Sequence, residues 1–361
     1  MVNKFTYALT VLSLIIFLSF CGTTKSVKVL KPAEMDVGSV KKVAVLDFDF
    51  TGSWDFASDD KTPGNFEQLG RLLLKNMFET KSPPDPRAAY PGSIITDKLV
   101  AKLVTNKYYT VIERKALSQL LEEQALSLSG VIDASQAAEV GKLLGAEGLV
   151  MGSGTYSVQD HGKWETYKEK KVEKKRYRIS RQVSASITYK IVNVTTGTII
   201  ASKTNTISNG NGKNDSATGK DEKEAIKNVP DWRPIVDRLV DGLLTLTINQ
   251  VAPHYVTERR SIEEGKSDQM EASVEYVKRD LWDDAMEIWE MVVQNPAADP
   301  DDKVAATYNI GLYYELTGQL DIAEEQFDRA FKMSGNDDYL DARARVNRRR
   351  AELERLKQQQ N

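Results

Sequence analysis

The chain has 361 residues, 49 basic against 52 acidic, a net charge of −3, one cysteine and two histidines. That length allows two domains with cores of their own. The near balance of charge supplies no global field for nucleic acid, and one cysteine excludes an internal disulfide and a Cys/His zinc constellation.

Lys4 followed by the apolar run Thr6–Phe20 reads as a secretory signal. The run is shorter than the ~18–20 residues a spanning helix needs. Cys21 follows it directly, and Leu18-Ser19-Phe20-Cys21 is similar to a lipobox, although Phe20 stands where a small residue is usual. Acylation of Cys21 would anchor the mature chain in membrane lipid, each buried CH₂ adding about 0.8 kcal/mol. Gly22 follows, where an aspartate would signal inner-membrane retention, so the expected location is the outer membrane, facing the periplasm.

Residues 1–21 are therefore read as a signal ending at Cys21, and the small, polar and charged residues 22–40 as a tether. Val43–Phe48 is a first core strand. Asp47, Asp49, Asp55, Asp59 and Asp60 lack ordered calcium-loop spacing and read as a solvated loop. Residues 82–91 form a proline-rich break. A helix from Gly92 then carries Ile95, Leu99 and Leu103 on one stripe.

Tyr108–Tyr156 reads as strand, helix, helix, strand. Tyr109, Val111 and Ile112 lead into Glu113-Arg114. Leu117, Leu120, Leu121 and Leu128 have near-helical spacing. Asp133 with Gln136 suits an N-cap and box partner, Gly145 a helix stop, and Leu149-Val150-Met151 a buried strand.

These pieces resemble the CsgG family, the curli production assembly and transport lipoproteins. The resemblance rests on Glu113-Arg114, Leu120-Leu121-Glu122-Glu123-Gln124, Gly141 through Gly152, and Val192–Ile200. It covers roughly residues 41 to 256. It implies a mixed-sheet α/β domain and, for the family, ring-forming channels built from two long β-hairpins per subunit, hence a homo-oligomer. The matching stretch here is KWETYKEKKVEKKRYRISR, with Lys168, Lys170, Lys174 and Arg176 expected on one strand face and Glu169, Lys171, Glu173 and Lys175 on the other. A lysine or arginine facing lipid at midplane costs about 2–4 kcal/mol. Neither this hairpin nor a second one expected over Asn205–Lys223 suits insertion, so a solvated hairpin is expected.

Val183, Ala185, Ile187, Tyr189 and Ile191 alternate with polar residues as a half-buried strand. Thr195-Thr196-Gly197 turns it into Thr198–Thr204. Pro230–Val251 is a helix with Ile235, Leu239, Leu243, Leu246 and Gln250 near one stripe.

From Pro253 the pattern is helical. Gly311-x-x-Tyr314, Gly318, Ala323-x-x-x-Phe327 and Ala330 resemble a tetratricopeptide (TPR) repeat, with a weaker copy at Tyr276, Ala285-x-x-x-Trp289 and Pro296. Helices at Thr257–Glu264 or Tyr339–Gln358 are expected to cap the pair, giving an all-α TPR-like domain over 257–358. Tyr308, Leu312 and Glu315 are assigned by this resemblance to a groove that binds a protein or peptide partner. Arg343, Arg345 and Arg348–Arg350 read as a solvated basic cap.

No GxSxG elbow, phosphate loop or HExxH motif is present. Gly152-x-Gly154 precedes a strand rather than a helix and is no dinucleotide signature. The expected molecule is thus not an enzyme and needs no cofactor or metal. It is a lipid-anchored envelope scaffold for assembly or transport. The alternatives are a curli-type channel subunit or a lipoprotein regulator of an envelope enzyme.

Overall fold

The structure is a computed structural model that describes residues 23–58, 90, 92–112, 134–210 and 215–360. The signal and Cys21, Asp59 and Asp60, most of the proline-rich break, Glu113-Arg114, the helix expected through Leu128 and the Asp133 cap lie outside the described residues. The chain divides into two compact units. One spans Ala33–His254; the other joins the residues up to Pro32 to Tyr255–Asn361.

The first unit is a mixed sheet with helices on both faces. Strand β2 (Lys42–Val45) runs parallel to β4 (Thr110–Val111) and to the start of β5 (Gly148–Glu169). Strand β3 (Asp49–Ser58) continues along the same edge of β5, also parallel. Strand β6 (Val172–Asn193) returns antiparallel to β5, and β7 (Thr198–Ser208) pairs antiparallel with β6. The solvated loop expected over the acidic residues is thus partly a strand, its Asp, Ser, Thr and Gly content having masked its extended form.

The period of two along β6 places Val183, Ala185, Ile187, Tyr189 and Ile191 on one buried face. Helices α1 (Gly92–Asn106) and α4 (Arg233–Val251) contribute to the same core. Ile95, Leu99 and Leu103 of α1 are buried as their spacing predicts, each burial stabilising by about 1.5–3 kcal/mol. On α4, Ile235, Leu239, Leu243 and Gln250 are buried but Leu246 is exposed. Thr247 takes its place, because the helix closes on polar partners there: Gln250 Oε1 accepts from the Tyr189 hydroxyl at 2.9 Å and from Asn205 Nδ2 at 2.9 Å. Helix α2 (Ala134–Leu144) contacts β5, β6 and β7, and Leu144 packs on the second core, which holds Ala44, Leu46, Leu149, Met151 and Val192. Gly145 ends α2 in the left-handed region, φ +62°.

Gly152 and Gly154 have a packing reason. A Cβ on either would collide with the rings of Phe48 and Phe50, which lie over β5, and with carbonyls of β6. Glu147, in the motif stretch, has another: its Oε2 accepts the backbone N–H groups of Lys41 at 2.7 Å and Lys42 at 3.0 Å, setting β2 against β5. Those two bonds hold the Glu147 carboxyl below its ordinary value of 4.5. Its contribution to stability is therefore complete above about pH 4.5 and is lost as pH falls through the lowered folded value. Urea midpoints of wild type and Glu147→Gln, compared between pH 7 and pH 3, should converge at the acid end.

The second hairpin expected over Asn205–Lys223 is not formed among the described residues. Strand β8 (Ser216–Gly219) pairs with Tyr177–Ser180 of β6, not with β7, and helix α3 (Glu222–Asn228) follows it. Beyond these partners, β5 and β6 run on to a two-residue turn at Lys170-Lys171. The turn reverses the chain, so Lys168, Glu173 and Lys175 share one face while Glu169, Lys174 and Arg176 share the other. The face assignment expected for one unbroken strand is corrected accordingly.

The second unit is helical with a two-stranded ribbon, β1 (Thr24–Lys31) against β9 (His254–Ser261). Both strands replace expectations, of a tether over 22–40 and a helix from Thr257. The Val27/Val29 alternation sits among three lysines and threonine and serine, a composition that reads as a linker until its partner, over 200 residues on, is known. Helices α5 (Asp268–Lys278), α6 (Trp282–Gln294), α7 (Pro300–Thr317), α8 (Leu320–Ser334) and α9 (Asp337–Gln360) follow. Trp289 is fully buried and donates from Nε1 to Ser273 Oγ at 2.8 Å. Gly311 lets α7 meet α8: a Cβ there would lie 2.8 Å from Cε1 of the buried Phe327 ring. Gly311→Ala should cost about 1–3 kcal/mol of this unit's stability, read by urea unfolding.

Candidate functional site

Tyr308, Leu312 and Glu315 do come together on α7, but they face inward. Tyr308 stacks on Tyr339 of α9 with ring centroids 4.9 Å apart and meets Phe327 at 5.3 Å. Leu312 is fully buried. Glu315, with a side chain only 3% exposed, accepts from Arg260 Nε at 3.0 Å and Arg345 Nη2 at 2.7 Å. Burial opposes the Arg345 cation, yet the bonds and charge of Glu315 raise its pKa above the ordinary arginine value. The groove assigned to these residues is therefore corrected.

The physical reason lies in the segment 260–267, which runs along α7. Asn309 clamps the backbone of Glu263, accepting its N–H at 3.0 Å and donating to its carbonyl at 2.8 Å. Asp302, buried, accepts the N–H groups of Lys266 at 2.5 Å and Ser267 at 3.2 Å. Ile262 is buried between. The chain lays its own extended backbone on the face a partner peptide was expected to fill, so α7 is enclosed nearly all round.

Nor, Arg348 apart, is the basic run on α9 a solvated cap. Arg343 pairs with Glu324 at 3.0 Å and Asp328 at 3.3 Å, and Arg350 with Asp321 at 2.7 Å and with Glu324. Arg349 donates to the Leu30 carbonyl of β1 at 2.6 Å, and Lys31 bridges Glu258 and Glu352, both at 2.7 Å. These contacts bind β1, β9 and α9 into one body.

The first unit carries a polar concavity of about 690 Å³ on the sheet, lined by Asp55, Gln159, Asp160, His161, Lys163, Glu165, Arg178, Ser180 and Gln182. Partial burial works against the charged form of Glu165, but hydrogen bonds from Arg176 and Arg178 hold its carboxyl below the usual range. The same two strands carry a closed pair. Asp160 and Arg181, opposite each other on β5 and β6, are bidentate, with Nε–Oδ1 and Nη2–Oδ2 both 2.7 Å. Trp54 Nε1 donates to Asp160 at 3.0 Å, and Arg181 also reaches the Pro230 carbonyl. The signal for this pair was in the register: Arg181 falls in phase with Val183 and Ala185, and Asp160 with Tyr156 and Val158. Among the described residues no cluster of His, Cys, Asp and Glu is arranged to hold a metal, and no helix is long and apolar enough to cross a membrane.

A family model described as curli production assembly/transport component CsgG matches residues 88–220, and one described as a domain of unknown function (DUF6340) matches residues 271–355. The second, not a TPR family, covers the helices α5–α9. No curated protein matches the chain. Among solved structures, the LpoB C-terminal domain from Escherichia coli is similar at 13% identity, covering 48% of this chain and 86% of its own, with a TM-score of 0.26. Lipoprotein GNA1162 from Neisseria meningitidis follows at 8% identity, covering 57% and 99%, TM-score 0.20. The PelC dodecamer from Paraburkholderia phytofirmans has 12% identity, covering 64% and 100%, TM-score 0.20. Scores this low fix neither topology nor function.

Proposed function

We propose that this chain is a non-enzymatic lipoprotein of the cell envelope, anchored through acylated Cys21, that serves as an assembly or transport scaffold and recruits protein partners through its helical unit. The observation that carries the reading is the match to the CsgG family model over 88–220; the apolar N-terminal run before the sole cysteine, read as an export signal, agrees with it. The structure adds a consequence for the anchor. Thr23 is held by Glu264, which accepts its N–H at 3.0 Å, and β1 begins at Thr24. Two residues span at most about 7 Å. Acyl chains on Cys21 would hold the helical unit itself at the bilayer surface, with no free tether between.

Capture of envelope proteins from cells, comparing the whole chain with one lacking 255–361, tests the recruiting role. Loss of captured partners is expected; an unchanged set would contradict it. The second reading is a curli-type outer-membrane channel subunit, which the family description and the long β5–β6 hairpin support. Charged residues on both faces of that hairpin count against it. Ion conductance by the purified protein in planar bilayers would make this reading the leading one.

A further inference from the structure

Among the described residues, the far end of the β5–β6 hairpin is an arm that no core cluster includes. β3 stops opposite Gly162 and β8 opposite Tyr177. From Lys163 to Arg176 the two strands pair only with each other among the described residues. This stretch holds seven basic and three acidic residues, in a chain whose net charge is −3. Every residue from Lys168 to Lys175 is exposed.

Its acids are largely engaged within the arm. Glu165 is held by Arg176 and Arg178, and Glu169 pairs with Lys174 at 2.6 Å; Glu173 sits across from Lys168 but outside ion-pair distance of it. No carboxylate among the described residues lies within ion-pair distance of Lys163, Lys168, Lys170, Lys171 or Lys175.

The turn is the telling feature. Lys170 and Lys171 both have positive φ, +48° and +69°. A two-residue turn of this kind strongly favours Asn-Gly, and a side chain with a Cβ is strained there. The arm places two lysines at the positions where their backbone is least favourable and their charges reach furthest. Val172, 58% exposed, follows the turn on the face of Glu169 and Lys174, and Trp164, 45% exposed, stands lower on the opposite face, which also bears Lys168 and Lys175. Lysines mixed with an exposed aliphatic and an indole match a surface of anionic head groups over an acyl layer. Nucleic acid offers nothing to Val172.

We propose that the arm formed by Lys163–Arg176 is a peripheral contact for anionic lipid head groups, with Lys168, Lys170, Lys171 and Lys175 as the binding cations and Val172 as the apolar tip. The contact lies on the surface; the arm does not span the bilayer. It does not depend on acylation of Cys21.

The test is binding of the full chain to vesicles of phosphatidylglycerol with phosphatidylcholine, against vesicles of phosphatidylcholine alone. The ratio of the two affinities is the readout, since any insertion by the N-terminal apolar segment contributes to both. Lys170→Asn with Lys171→Gly relieves the turn, so this variant should melt at or above wild type. It should lower the ratio about 10- to 30-fold, at roughly a factor of five per lysine lost. Lys168→Glu with Lys175→Glu should lower it further, and 0.5 M salt should abolish it. A wild-type ratio near one, or a ratio unchanged in both variants, overturns the proposal. So does tighter binding of the wild-type arm to a DNA duplex than to anionic vesicles at equal salt.

Discussion

Arg181→Ala should destabilise the first unit by about 3–5 kcal/mol, the largest single-residue effect expected there. The guanidinium is 7% exposed and its partner Asp160 is 4% exposed, so deletion strands a carboxylate inside the sheet. The Trp54 indole is the other donor that Asp160 keeps, and it cannot replace two charge-assisted bonds. Replacing both ends together, Asp160→Leu with Arg181→Met, should recover much of the loss, because an apolar pair of similar volume removes the stranded charge. Chemical unfolding of the two variants checks both statements. If Arg181→Ala unfolds within about 1 kcal/mol of wild type, the pair is not as closed as the geometry makes it.

Glu315→Ala should destabilise the helical unit by a similar amount, about 3–5 kcal/mol. Glu315 lies between two guanidiniums and pairs with both, those of Arg260 on β9 and Arg345 on α9. Arg260 retains Glu258 at 2.7 Å, but Arg345 loses its only ion pair among the described residues and faces the Tyr308 and Phe327 rings. This result also separates two views of the residue. In an open groove, Glu315→Ala would leave unfolding unchanged and weaken a partner. Enclosed as it is, the substitution should shift the unfolding midpoint before any binding is measured.

Where the pattern was local, it was readable. The alternation from Val183 to Ile191 identified β6 and its buried face, and the stripe Ile95, Leu99, Leu103 identified α1. The Thr195-Thr196-Gly197 turn joined β6 to β7, with Gly197 at φ +67° and Asn193 Oδ1 accepting two N–H groups of the turn. Small residues at Gly311 and Ala323 marked where α7 and α8 touch.

What failed depended on distant partners. Strand β1 pairs with a segment more than 200 residues away, and nothing in TKSVKVLK names it. The strand faces of the arm were misassigned because Lys-Lys is a poor signal for a tight turn. The groove residues of α7 were misassigned for a different reason. Helical spacing tells which residues share a face, but not which other element covers it, and here the covering element is the chain's own segment 260–267. The role of Glu147 was likewise hidden, since its acceptors' donors belong to a strand a hundred residues earlier.

The most direct test of the envelope-lipoprotein reading is the intact mass of the mature protein extracted from cells in mild detergent, measured both denatured and native. The expected result is a chain beginning at Cys21, heavier than its sequence by acyl groups removed in Cys21→Ser, and a monomer or small oligomer in the native spectrum. A mature chain without lipid would contradict the anchor. A large closed ring would contradict the scaffold reading and place the channel first.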